Sequence, residues 1–186
     1  DDKFKPLPGT EFELEAQRLA PDRRVRGVEG TADLLRILGP LDAAELAARL
    51  RPSDAGGSAA AVAHADDPDA PVREAPRATV AEASTYLEQL IAQRRAIAVT
   101  IAGVPRVAAI EDSARLLDAL GIALPTGIPN AFLESTADPL GDLVARFART
   151  HGPFLAEAVA DRFGIGIAVA RHTLQRPRQR SAASPP

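Results

Sequence analysis

The strongest constraint on this 186-residue chain is a twelve-residue pattern that it uses twice. GPLDAAELAARL at 39–50 and GPFLAEAVADRF at 152–163 agree at Gly39/Gly152, Pro40/Pro153, Ala43/Ala156, Ala47/Ala160 and Arg49/Arg162. They exchange one apolar residue for another at Leu41/Phe154, Leu46/Val159 and Leu50/Phe163. Each copy follows a short amphipathic stretch, DLLRIL or DLVARFA. Gly-Pro ends a helix because proline cannot continue it; the bulky residue then fills the corner, and a small Ala in the next helix permits close crossing. Two such corners, 113 residues apart, predict two related three-helix units.

Proline and turn chemistry divide the rest. Residues 1–30, with Pro6, Pro8 and Pro21, read as an irregular N-terminal segment holding a short helix over 10–19. Residues 31–121 form the first unit, where Leu34, Leu35 and Leu38, then Leu46, Ala47 and Leu50, make the apolar stripes of two helices. Asp42 and Glu45 have capping-box spacing. Residues 51–78 are low in hydrophobicity and rich in Ala, Asp, Pro and Gly, which predicts a disordered insertion, with His64 solvated in it. Thr79 and Glu82 repeat the box and open a helix to about Arg94, with Ala83, Leu87, Leu90 and Ile91 on its apolar face. AIAVTIAGVPRVAAI alternates across Ala102-Gly103 as a β-hairpin does, and 111–121 is a further helix ending at Gly121. Residues 122–138 are a connector, 139–176 a second and incomplete unit, and 177–186 a disordered tail.

The fold expected is mainly α with a small β-hairpin, arranged as tandem winged-helix-like units built on helix-turn-helix corners. Modules of this order commonly set the third helix against a nucleic acid and the hairpin against its backbone. Gln89, Gln93 and Arg94, with Thr85, then occupy the outward face of the third helix, Arg95 the junction, Arg106 the wing and Arg171 the second unit. Arginines suit phosphates, and glutamine suits a base edge. Against this stands the charge: 79–120 holds four arginines and five acids, so the first unit is not basic, and such modules also serve as plain packing or protein-contact units.

Composition removes other classes. There is no cysteine, hence no disulfide framework, thiolate metal site or cysteine nucleophile. The formal net charge of −3 means that any nucleic-acid contact comes from a local surface. Lysine occurs only at Lys3 and Lys5, so nearly all basicity is arginine. No apolar run approaches the ~18 residues that span a bilayer, so no membrane partner is expected, and the expected compartment is the cytoplasm. Asp66-Asp67 and Glu111-Asp112 are isolated acid pairs that do not make a magnesium site, and no catalytic, cofactor or metal residue is expected in the chain. A chain that starts on Asp1 and has no methionine reads as an interior slice of a longer product.

RRVRGVEGTADLLRILGPLDAAELAARL, RRAIAVTIAGVPRVAAIEDSARLLDALGIALP and ADPLGDLVARFARTHGPFLAEAVADRFGIGIAVA together resemble the region after the motor domains in the large helicase-related (Lhr) family. The resemblance implies a superfamily 2 enzyme that moves 3′ to 5′ on single-stranded DNA, unwinds duplexes and RNA–DNA hybrids, and uses ATP and magnesium in its motor domains. This chain has no G-x-x-x-x-G-K-[ST] loop, so it implies here a nucleic-acid-binding C-terminal fragment, partnered by DNA and by its own motor domains and associated with DNA repair or unwinding. Two departures stand out: Leu155 replaces the family's helix-capping Thr, and Val107 its hairpin Trp. Pro177 also falls where the resemblance implies continuation into another wing. The family region is similar to winged-helix DNA glycosylases too, which leaves two alternatives: a glycosylase-like domain, for which the hairpin offers Thr100 and Arg106, or an inactive structural remnant.

Overall fold

The computed structural model describes residues 8–53 and 76–176. Most of the expected insertion, including His64, and the expected tail lie outside the described residues. Eight helices and one hairpin follow in order among those described: α1 Pro8–Ala16, α2 Gly27–Leu38, α3 Ala43–Ala47, α4 Val80–Ala92, β1 Ala96–Ile101, β2 Val104–Ala109, α5 Ser113–Leu120, α6 Pro139–Thr150, α7 Ala156–Phe163 and α8 Ile167–Gln175.

Local chemistry sets the ends. Gly39 takes φ +87°, a conformation L side chains rarely adopt, and donates its N–H to the Leu35 carbonyl, so α2 stops there and Pro40 turns the chain. Asp42 accepts from the Glu45 amide at 2.8 Å while Glu45 accepts from the Asp42 amide at 3.0 Å, completing the capping box. At α4 only half of the box forms. Thr79 caps the Glu82 amide, but the Glu82 carboxylate turns to the Ser53 amide at 2.7 Å and the Tyr86 hydroxyl at 3.1 Å. Leu155 begins α7 in extended backbone with no side-chain cap, as expected from its lack of a hydroxyl.

In the first unit α2, α3 and α4 enclose Leu34, Leu35, Leu46, Leu50, Leu87 and Leu90. Leu41, in the Gly-Pro corner, exchanges both backbone hydrogen bonds with Val107 and so adds a one-residue strand beside β2. The antiparallel hairpin pairs Ile101 with Val104 around Ala102 and Gly103, both at positive φ as a tight two-residue turn requires.

A strand sends alternate residues to opposite faces, and both faces of this hairpin are used. Ala96, Val107 and Ala109 meet the first core. Ile97, Val99, Ile101 and Ala108 enter a second core with Leu116, Leu143, Val144, Phe147, Val159 and Phe163. The hairpin is thus the partition between the two helical units.

Candidate nucleic-acid interface

Gln89 and Gln93 are exposed at the C-terminal half of α4. Arg94 follows in the left-handed region at φ +58°, exposed, with no ion pair among the described residues. Arg95, at the junction, is not open to a ligand in the same way. Its guanidinium forms a two-pronged pair with Glu29 of α2, at 2.6 and 2.7 Å, and reaches Gln93 Oε1 at 3.3 Å. The hydrogen bond from Arg95 holds the Glu29 carboxyl below its ordinary range, and the same bond raises Arg95.

Arg106 corrects the expected location. Its side chain is only 9% exposed and does not face outward from a wing. Nη1 donates to the Ile101 carbonyl at 3.2 Å and the Arg162 carbonyl at 3.5 Å, and Nε lies 3.8 Å from Glu45 without a hydrogen-bond partner among the described residues. Burial, then the neighbouring Arg162, lowers its pKa. The reason is register: the Ala102-Gly103 turn sets Arg106 opposite Val99, on the face that the second unit covers. That signal was present in the sequence, because the turn fixes the pairing. Arg171 lies apart from the others on α8, exposed and paired with Glu157 at 3.1 Å. The six residues therefore do not converge on one surface: Gln89, Gln93 and Arg94 stay together and open, Arg95 is engaged, Arg106 is internal and Arg171 belongs to the other unit.

Sequence reading missed the charged seam between the units. Asp112, buried at the start of α5, accepts from Arg146 of α6 at 2.6 and 2.8 Å and from Arg115 at 2.5 Å. Burial lowers the Arg146 pKa, but the bonds that it donates to Asp112, with that carboxylate's charge, outweigh burial and leave it raised. Arg162 of α7 bonds the Glu45 carboxylate and the Pro40 carbonyl, the latter at 2.7 Å. Burial alone would raise the Glu45 pKa; the bonds from Arg162 and from the Asp42 amide win and hold it low. The repeat offered one clue, since Arg49 and Arg162 recur among apolar positions and both are inward-facing.

Two spaces adjoin these groups. A cavity of about 40 Å³ at the seam is lined by Glu45, Arg49, Arg146, His151 and Arg162 among others, room for little more than one water. An open groove of about 440 Å³ runs beside the hairpin, with Asp42, Thr100 and Arg106 as its polar members among Leu41, Leu87 and Val107. Among the described residues no group of three His, Cys, Asp or Glu is placed to hold a metal, and no helix is long and apolar enough to cross a membrane.

The tandem corners and hairpin agree with sequence comparison. Residues 10–135 match the family described as large helicase-related protein, winged-helix domain. The chain is 41% identical over 162 residues to the "Lhr helicase/ probable uracil glycosylase" of Mycolicibacterium smegmatis, covering 87% of this chain and 9% of that protein. It is 37% identical over 169 residues to the "Lhr helicase/uracil glycosylase" of Escherichia coli, covering 91% of this chain and again 9% of the relative. The chain thus spans about a tenth of the length of these relatives. With a winged-helix match over more than half of its residues and these identities across most of its length, the chain belongs to the large helicase-related (Lhr) family.

Proposed function

We propose that this chain is a nucleic-acid-contacting part of the region that follows the motor domains in an ATP-dependent 3′–5′ DNA helicase, and that it carries no catalysis itself. The observation that carries the reading is the family's winged-helix match over residues 10–135, in which the third helix, α4, keeps Thr85, Glu88 and Gln89 exposed; α8, beyond the match, exposes Arg171 and His172 beside Ile167, Val169 and Leu174. The absence of catalysis is supported by where the inward carboxylates go: Asp42, Glu45 and Asp112 are committed to helix caps and inter-unit arginines. With no nucleotide-binding loop in the sequence, ATP and magnesium act in this reading on the motor domains. DNA, as a single strand, a duplex or an RNA–DNA hybrid, and those motor domains are the partners, in the cytoplasm.

The test is fluorescence anisotropy of the full chain with a labelled single-stranded oligonucleotide. Binding at low salt that weakens linearly on log–log axes, by about 0.7 per neutralised phosphate, is the expected outcome. A flat anisotropy at low salt refutes the reading. A second reading, a glycosylase-like role, draws on the groove that holds Thr100 and Arg106 and on the uracil glycosylase in both relatives' names. Release of uracil from a uracil-containing oligonucleotide by the full chain would favour it over the first.

A further inference from the structure

We propose that, within the nucleic-acid reading above, on which this inference rests, the second unit is the one that meets DNA, gripping the phosphate backbone with the outer face of α8, while the first unit serves as its scaffold. The repeat relates the two third helices position by position. The third helices align by their N-caps, Thr79 in the first unit and Gly166 in the second. This places Ala83 on Ala170, and both are fully buried at 0% exposure, so the register is correct.

The outward positions then fall in pairs: Ser84 with Arg171, Thr85 with His172, Glu88 with Gln175, and Gln89 with Arg176. Where α4 presents neutral or acidic groups, α8 presents two arginines and a histidine, all exposed. Phosphates held along such a helix need cations there, and at the matched positions only the second copy supplies arginines, the first having Arg94 alone, one residue past the C-cap of α4. The present partners of these arginines do not prevent it. Arg171 meets Glu157 at 3.1 Å and Arg176 meets Asp138 at 3.5 Å, each pair about half exposed, and solvated pairs of this kind hold weakly.

An independent observation removes the first unit's other contact element. Its hairpin tip is seated on the second unit: a Cβ on Gly164, at the end of α7, would lie 3.1 Å from Ala102 Cα and 3.2 Å from its Cβ. Arg106 turns into the same junction and donates to the Arg162 carbonyl. A wing that is held at its tip and has its arginine inside is a docking strap for α7.

The experiment compares variants of the full chain by anisotropy with the same single-stranded oligonucleotide. Arg171→Ala with Arg176→Ala is expected to weaken binding about tenfold at low salt and to flatten the salt slope by about 1.4, two phosphate contacts' worth. Gln89→Ala with Arg94→Ala is expected to change little. Glu157→Gln frees Arg171 and is expected to tighten binding about twofold, a gain that a merely structural role of Arg171 would not give. All five positions changed are exposed, and unaltered thermal unfolding checks that each variant folds. Loss of binding in the α4 pair with retention in the α8 pair overturns the assignment and leaves the nucleic-acid reading standing; no binding by the unaltered chain overturns both.

Discussion

Removing the Asp112 carboxylate isolates what holds the two units together. Asp112 is 4% exposed and accepts three hydrogen bonds, two from Arg146, whose side chain is 13% exposed, and one from Arg115. Asp112→Ala leaves the Arg146 guanidinium under the seam without its counter-charge, a loss of about 3–5 kcal/mol for a buried pair broken on one side. Arg115 contributes little to that figure, since it keeps Asp142 at 3.3 Å and stands nearer solvent. Asp112 also stands at the N-cap of α5, but its side chain makes no cap hydrogen bond there, so the loss belongs to the seam. Replacing both partners, Asp112→Ala with Arg146→Met, removes the stranded charge and is expected to restore roughly 2–3 kcal/mol relative to additivity. Urea denaturation followed by circular dichroism, run as a double-mutant cycle at neutral pH, measures this. A loss below about 1 kcal/mol in Asp112→Ala, or an additive double variant, would show that apolar contacts alone fasten the units.

Three further outcomes are expected. Leu46 lies in the first core at 0% exposure and Leu143 in the second at 2%; either Leu→Ala change is expected to cost about 2–5 kcal/mol and to shift a single transition, because the hairpin belongs to both cores. Two separable transitions in calorimetry would refute that coupling. Gly164→Val places a branched side chain at φ +65° and against Ala102, and is expected to cost more than the ~1–2 kcal/mol of backbone strain alone, with loss of protection at the hairpin amides in hydrogen exchange. His151, stacked on Phe147 at 3.6 Å between ring centres, has its pKa pushed below the ordinary 6.5 by burial, with Arg162 and Arg49 nearby adding to the shift and Glu13 and the Phe147 carbonyl opposing it. The unfolded chain therefore takes up the proton first as pH falls below 6.5, so this contribution is present above that value and is lost as pH drops through the folded value. The slope is no steeper than about 1.4 kcal/mol per pH unit, and a His151→Phe variant that keeps the same slope from pH 7.5 to 5 would rule the residue out.

How much of this was legible in the sequence follows from the range of the interactions. Helix ends are local, so Gly39-Pro40, the Asp42/Glu45 box and Gly121 were readable, and so was the hairpin turn. The half-formed box at Thr79 was not, because Glu82 is drawn to Ser53, 29 residues away across the insertion. Arg95 read as a phosphate ligand because its partner Glu29 is 66 residues distant and nothing local announces it. The hairpin's two-sided burial was half visible. Ile97, Val99 and Ile101 mark one apolar face, whereas Ala96, Ala98 and Ala109 are too small to mark the other, although two of them enter the first core.

The repeat explains why the seam is polar as well as apolar. At matched positions, Arg49 bonds the Gln17 carbonyl and side chain at 2.9 and 2.6 Å, tying the segment after α1 to the first unit, while Arg162 bonds Glu45 and Pro40, tying the second unit to the first. The corner residues diverge likewise. Leu41 pairs its backbone with β2, and Phe154 instead sets its ring edge-on to Phe147 at 5.1 Å. The two corners also turn by different means, since Gly39 at φ +87° ends α2 whereas His151 in extended backbone ends α6, and matched residues go to different neighbours. Glu45 then joins both uses in one carboxylate, since it closes the capping box of α3 and receives Arg162 from α7. Its lowered pKa means that the charge is in place above the ordinary carboxylate value of 4.5 and is lost as pH falls through the folded value. Acid is therefore expected to loosen the start of α3 and the docking of α7 together, whereas a seam fastened by side chains with no second duty would open without disturbing either helix.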